Sequence, residues 1–194
     1  MIREVGPACE QEGPDPSRSI AARLARLEAN NAVRAVATRY FRLCDALGPT
    51  TQMDELGDLF AQDAVWEGKG RYEEAFGRHE GRDAILAMLG SYATSGHFIL
   101  NAHYLTSEDI VILDDRTAMA SWQMLQVSTY HDGKSDFRSA SLNLEFAVRD
   151  GSWRITRFVT QAIFSRAVGP WNDDTAISVP TASTITLENE DTEK

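Results

Sequence analysis

The hydrophobic period of this 194-residue chain changes near Gly96, and that change most limits what it can fold into. Before it, Ile20, Leu24, Leu27, Val33, Val36, Tyr40 and Leu43 or Cys44 recur at helical intervals. They predict one long amphipathic helix from about Arg18 to about Ala46, capped by Ser17 or Ser19 and stopped by Gly48-Pro49. Next come a short helix over 52–60 and another around Ile85, Leu86, Met88 and Leu89, ending near Gly90 or Gly96. Between them AVWEG reads as a short strand and 68–81 as a Gly-rich, charged loop. Beyond Gly96 the period is two: HFILNAHYL, DIVIL, TAMASWQMLQVSTY, RSASLNLEFAV and SWRITRFVTQAIF read as successive strands. DDR, HDGKSD and RDGS are the turns between them, and Asp-Gly pairs of this kind favour hairpins. Helices first and an antiparallel meander after them define an α+β domain, a curved sheet wrapped over N-terminal helices. Its expected bounds are 18–168, with a flexible leader at 1–17 and a polar, acidic tail at 169–194.

Charge and cysteine content narrow the function classes. A net charge of −10 argues against nucleic acid and anionic membrane as partners, since both reward a basic surface. Cys9 and Cys44 make neither a metal finger nor a disulfide framework, and the N-terminus has no apolar signal region. A cytoplasmic protein acting on a small molecule is the expectation.

Tyr40 and Asp45, in RYFRLCDALG, are the polar residues of the first helix that ask for partners. Five positions apart, they differ by about 140° on a regular helix, so they reach a common site only from two sides of the inward stripe or where the helix end loosens. On the first strand His97, Ile99, Asn101 and His103 share one face, and Phe98, Leu100, Ala102 and Tyr104 the other. Either the His/Asn face enters a pocket, or the apolar face enters the core and the histidines meet solvent. Trp66 is a pocket wall or plain core. Trp122 and Met124 share a strand face that either lines a cavity or packs. Asn143 belongs to a polar face with Ser139, Ser141 and Glu145, which is solvated, or an interface, or holds a pocket residue. The spacing of His97 and His103, taken with Asp45, is not a usual metal-ligand pattern.

The order of a long first helix, LFAQDAVWEG, GRDAI, a Gly-His at a strand start and a final RDGSWRI hairpin resembles the SnoaL-like branch of the nuclear transport factor 2-like superfamily over about residues 19 to 166. That resemblance implies a cone with a pocket open at one end. RYFRLCD resembles the corresponding helix of bile-acid 7α-dehydratases, and GHFILN the His-bearing strand of scytalone dehydratase and hexachlorocyclohexane dehydrochlorinase. The second catalytic His of scytalone dehydratase has no counterpart in FRSASLNLEF. Carried over by position, the resemblance implies His97 as base, Asp45 as its orienter and Tyr40 as hydrogen-bond donor. Trp66, Asn101, His103, Trp122, Met124 and Asn143 are the expected substrate-binding residues.

The chemistry implied is a cofactor-independent, metal-independent elimination on a small, largely apolar cyclic or aromatic substrate. Histidine as a residue type titrates near neutrality and suits proton abstraction; a carboxylate on its other nitrogen sets the tautomer; a phenol stabilises an enolate-like oxygen. Retro-aldol cleavage, isomerisation and cyclisation begin the same way. A non-catalytic ligand-binding or assembly subunit, resembling the small subunit of ring-hydroxylating dioxygenases, is the other class. Homo-oligomerisation, as dimer or trimer, is expected from the resemblance alone.

Overall fold

The computed structural model describes residues 19–94 and 97–169. The expected leader, and the expected tail apart from Gly169, lie outside the described residues. Helix α1 (Ile20–Asp45) begins where the Ser19 hydroxyl accepts from the Ala22 amide at 3.3 Å, a side-chain N-cap. Its buried residues are Val33, Ala37, Tyr40, Phe41 and Cys44. Ile20, Leu24 and Leu27 continue the same apolar spacing yet are exposed, so only the later turns of α1 rest on the core.

The short helix α2 (Met53–Gly57) ends earlier than its apolar spacing suggests, and Phe60 opens strand β1 (Phe60–Lys69) instead. The expected loop at 68–81 contains helix α3 (Arg71–Phe76) and strand β2 (Arg78–Glu80). Gly68 makes this arrangement feasible: a Cβ there would lie 2.2 Å from the Tyr72 carbonyl oxygen, so only a bare backbone lets α3 fold down so closely. Helix α4 (Arg82–Thr94) leads to the meander of β3 (Phe98–Ile112), β4 (Thr117–Tyr130), β5 (Ser135–Arg149) and β6 (Ser152–Val168).

Among the described residues six strands form one sheet, in the order β2-β1-β6-β5-β4-β3. The meander is antiparallel, as its tight turns require, but β1 joins β6 in parallel and makes the sheet mixed. No local signal carries that pairing, because β1 and β6 are far apart in sequence. The two apolar runs HFILNAHYL and DIVIL are one strand, β3, whose register shifts between Thr106 and Asp109, where Ser107 has a φ of 51°. That irregularity places Glu108 under α1, where its carboxylate accepts from Arg34 at 2.5 and 2.9 Å and tethers the helix to the sheet. The core between α1, α4 and the concave sheet face includes Phe60, Ile85, Leu142, Leu144, Phe146, Ile155 and Phe158, all nearly inaccessible to solvent. No described helix is long and apolar enough to cross a membrane.

Candidate active site

The curved sheet and helices α1, α3 and α4 enclose a cavity of about 290 Å³, the lower end of the range for small-molecule sites. Its wall is mainly aromatic. Trp66 stacks on Phe158 with ring centroids 5.4 Å apart and planes 6° off parallel; Tyr72 and Phe76 come from the helix held down over Gly68.

Helix α1 delivers two polar groups by different routes. Tyr40 is 3% exposed and its hydroxyl oxygen accepts from Trp66 Nε1 at 3.1 Å. Burial pushes the Tyr40 hydroxyl well above its ordinary pKa, and the neighbouring Cys44 pushes the same way, so the phenol keeps its proton. Burial likewise raises the Cys44 thiol to about 12. Asp45, the last residue of α1, stands just outside the lining and turns toward β3.

The Asp45 carboxylate pairs with His103. Oδ1 lies 2.5 Å from His103 Nδ1, and Oδ2 accepts from the His103 backbone N–H at 3.3 Å. A carboxylate only accepts, so this contact puts a proton on Nδ1 and leaves the Nε2 lone pair of a neutral ring unoccupied by any described residue. His103 lines the cavity and its ring packs 5.1 Å from Phe41. The expected Asp45–His97 pair is therefore not formed. His97 precedes His103 by six residues, about 20 Å along an extended strand, and one carboxylate cannot reach both. His97 sits at the cavity rim, its ring 5.7 Å from Tyr92 and 5.8 Å from Phe98.

The strand face explains the exchange of histidines. Asn101 and His103 do face inward, but the register shifts between Phe98 and Leu100, so Ile99 is 59% exposed while Phe98 and His97 line the cavity. Asn101 anchors the floor: its amide nitrogen donates to the Cys44 carbonyl at 3.3 Å, and its oxygen accepts from Gln126 at 2.8 Å and Ser128 at 2.9 Å.

Trp66, Asn101, His103 and Met124 all line the cavity. Trp122 does not. It lies one inward step before Met124 on β4, buried in the core, with Nε1 donating to Glu108 at 3.3 Å. Asn143 does not either: it is on the opposite sheet face, exposed, in a shallow depression with Asp109, Met119 and Arg157. The alternation that makes Leu142 and Leu144 core residues forces Asn143 outward. Sequence reasoning missed Gln126, Tyr130 and Arg138, which also line the cavity. Arg138 was visible in principle, since it shares the inward parity of Ala140, Leu142 and Leu144.

A helix-backed, curved sheet closing over an aromatic cavity is the architecture of an NTF2-like cone. The profile of the SnoaL-like domain family matches residues 25–159, and the chain belongs to that family. Solved structures share the fold. A type 2 hexachlorocyclohexane dehydrochlorinase (LinA) superposes with a TM-score of 0.64 at 16% identity over 81% of this chain and 98% of its own. The LinA-type3 dehydrochlorinase of Novosphingobium barchaimii LL02 gives 0.63 at 17% identity over 82% and 99%. An NTF2-like protein with a cystatin-like fold from Novosphingobium aromaticivorans gives 0.59 at 22% identity over 78% and 92%. No curated protein matches the sequence.

Proposed function

We propose that this protein is a lyase that begins catalysis by abstracting a proton from a carbon acid, with His103 Nε2 as the base. The observation that carries this reading is the 2.5 Å contact between Asp45 and His103 Nδ1, made behind the ring while the ring itself borders an aromatic cavity. Asp45 acts through His103: it fixes the tautomer and stabilises the imidazolium formed when Nε2 takes the proton. Tyr40, which stays a neutral phenol, donates to the substrate oxygen on which negative charge develops. The electron pair of the broken C–H bond then forms the double bond as the leaving group departs, either as halide anion or as water once the hydroxyl has taken a proton back from the His103 imidazolium. The dehydrochlorinases that share the fold carry out an elimination of this class, which supports the reading.

The cavity's size and aromatic walls favour a substrate of one or two rings. Self-association belongs to the same reading and is read by sedimentation velocity. Retro-aldol cleavage, isomerisation and cyclisation share the proton abstraction and differ only in the later bond changes.

The test does not need the native substrate. The protein is incubated with 2-tetralone in deuterium oxide, and exchange of the α-protons is monitored by proton NMR. Exchange above the buffer rate that disappears in His103→Gln and persists in His97→Gln is the expected result. Exchange that survives His103→Gln would overturn the assignment. Tight ketone binding with no exchange would favour a ligand-binding module.

A further inference from the structure

Three side chains that line the cavity stand in one row across the sheet. His103 on β3 is the register partner of Gln126 on β4, and Gln126 is the register partner of Arg138 on β5. With strands about 4.8 Å apart, the Cα atoms of His103 and Arg138 are about 10 Å apart, the span of a small ring system with one substituent. Arg138 is the one permanent cation among the described residues lining the cavity, and no carboxylate lines it: Asp45 and Asp136 both stand behind the lining.

Arg138 is held in place but not saturated. Its Nη2 donates to the Tyr130 hydroxyl at 2.7 Å and to Asp136, and its guanidinium carbon lies 5.9 Å from the Tyr130 ring centre. Tyr130 in turn donates to Asp136 at 3.0 Å. These bonds use one of the three nitrogens, and Nε is buried with no hydrogen-bond partner. A guanidinium has five donors, and a buried donor of a charged group without an acceptor is uncommon in folded proteins. Tyr72 and Tyr92 line the same end of the cavity, and the Arg138 charge offsets part of the upward push that burial gives their hydroxyls. This end is thus built around a positioned cation with unused donors, in an otherwise acidic chain.

We infer that Arg138 is a specificity-determining residue that binds a carboxylate on the substrate, while the acidic C–H of the same molecule meets His103 at the other end of the row. A carboxylate is favoured because its two oxygens match the planar fork of a guanidinium. Tyr130 and Asp136 act as positioning residues that fix the guanidinium plane. The inference rests on the proposed role of His103 for the substrate's orientation; the recognition of the anion by Arg138 does not depend on catalysis.

The test is calorimetric titration of the full chain with 2-naphthoate and with 2-acetylnaphthalene, a neutral ketone of similar shape. Wild type should bind 2-naphthoate about tenfold or more tightly than the ketone, as expected for a charge-assisted bond. Arg138→Gln should remove that preference while leaving ketone affinity unchanged, and Arg138→Lys should retain part of it. His103→Gln should keep the full preference, so a failed catalytic reading leaves this result intact. Equal binding of the two ligands by wild type, or equal weakening of both in Arg138→Gln, would overturn the inference. So would the absence of 2-naphthoate binding at millimolar concentration. Thermal melting of Arg138→Lys and Arg138→Gln separates loss of the fold from loss of recognition.

Discussion

Asp45 holds His103 at two points, the ring through Oδ1 at 2.5 Å and the backbone N–H through Oδ2 at 3.3 Å. A carboxylate at the last residue of a helix thereby sets both the position of a strand residue and the direction of its imidazole. The ring cannot turn without breaking the first contact, and the strand cannot slide without breaking the second.

That double contact makes the effect of Asp45→Asn predictable. The substitution keeps a hydrogen-bonding group of the same size but removes the charge and allows the amide to donate to Nδ1, which selects the opposite tautomer. Proton exchange on 2-tetralone should fall by about 10² to 10⁴, the range for loss of a general base, with little change in melting temperature because Asp45 is partly exposed. His97→Gln should change the rate by less than about threefold, as the catalytic contribution of a general base is absent there. NMR exchange rates on the two variants, side by side, decide the matter.

Tyr40→Phe should affect both stability and chemistry. The Trp66 Nε1 proton would lose its acceptor in a buried site, at a cost of about 1–3 kcal/mol. Denaturant titration monitored by tryptophan fluorescence reads that loss. Because burial raises the Tyr40 pKa, its ionisation should not shape the activity profile between neutral pH and pH 10. An alkaline decline in that window that vanishes in Tyr40→Phe would contradict this.

Glu67 makes the acid stability of the sheet predictable. It is 2% exposed and its carboxylate meets Lys69 Nζ at 2.9 Å, Arg78 Nη1 at 3.1 Å and Arg157. The bond to Lys69, with that to Arg78 and the charge of Arg157 adding to it, holds the Glu67 carboxyl below its ordinary value of 4.5. A folded-state pKa that is lowered contributes stability above the unfolded value and loses it as pH falls through the folded one. Urea unfolding free energies should therefore decline below pH 4.5 in wild type. Glu67→Gln should be less stable by about 1–3 kcal/mol at pH 7 and should show a shallower acid decline.

Gly68→Ala should disturb the cavity from outside it. Its Cβ would fall 2.2 Å from the Tyr72 carbonyl oxygen, so α3 must lift and carry Tyr72 and Phe76 away from the wall. A stability loss of about 1–3 kcal/mol, typical of overpacking, should accompany weaker 2-acetylnaphthalene binding. Normal melting with unchanged ligand affinity would show that α3 does not form the wall in solution.

The sequence by itself determined the α+β class, the extent of α1 and the order of the β4–β6 meander, and the Tyr40–Asp45 pair on one helix, although β5 begins inside the expected turn at Ser135 and β6 runs on to Val168. These are written in local periodicity, caps and turns, where the physical cause lies within a few residues. Tertiary structure decided which histidine Asp45 reaches. A register shift between Phe98 and Leu100 turns Ile99 outward, and the end of α1 lies against His103, six residues beyond the expected partner. It also decided that β1 runs parallel to β6, that Asn143 faces away from the cavity, and that Arg138 stands across the sheet from His103. Each of these depends on how distant strands align, and strand register is set by contacts between segments that no local pattern records.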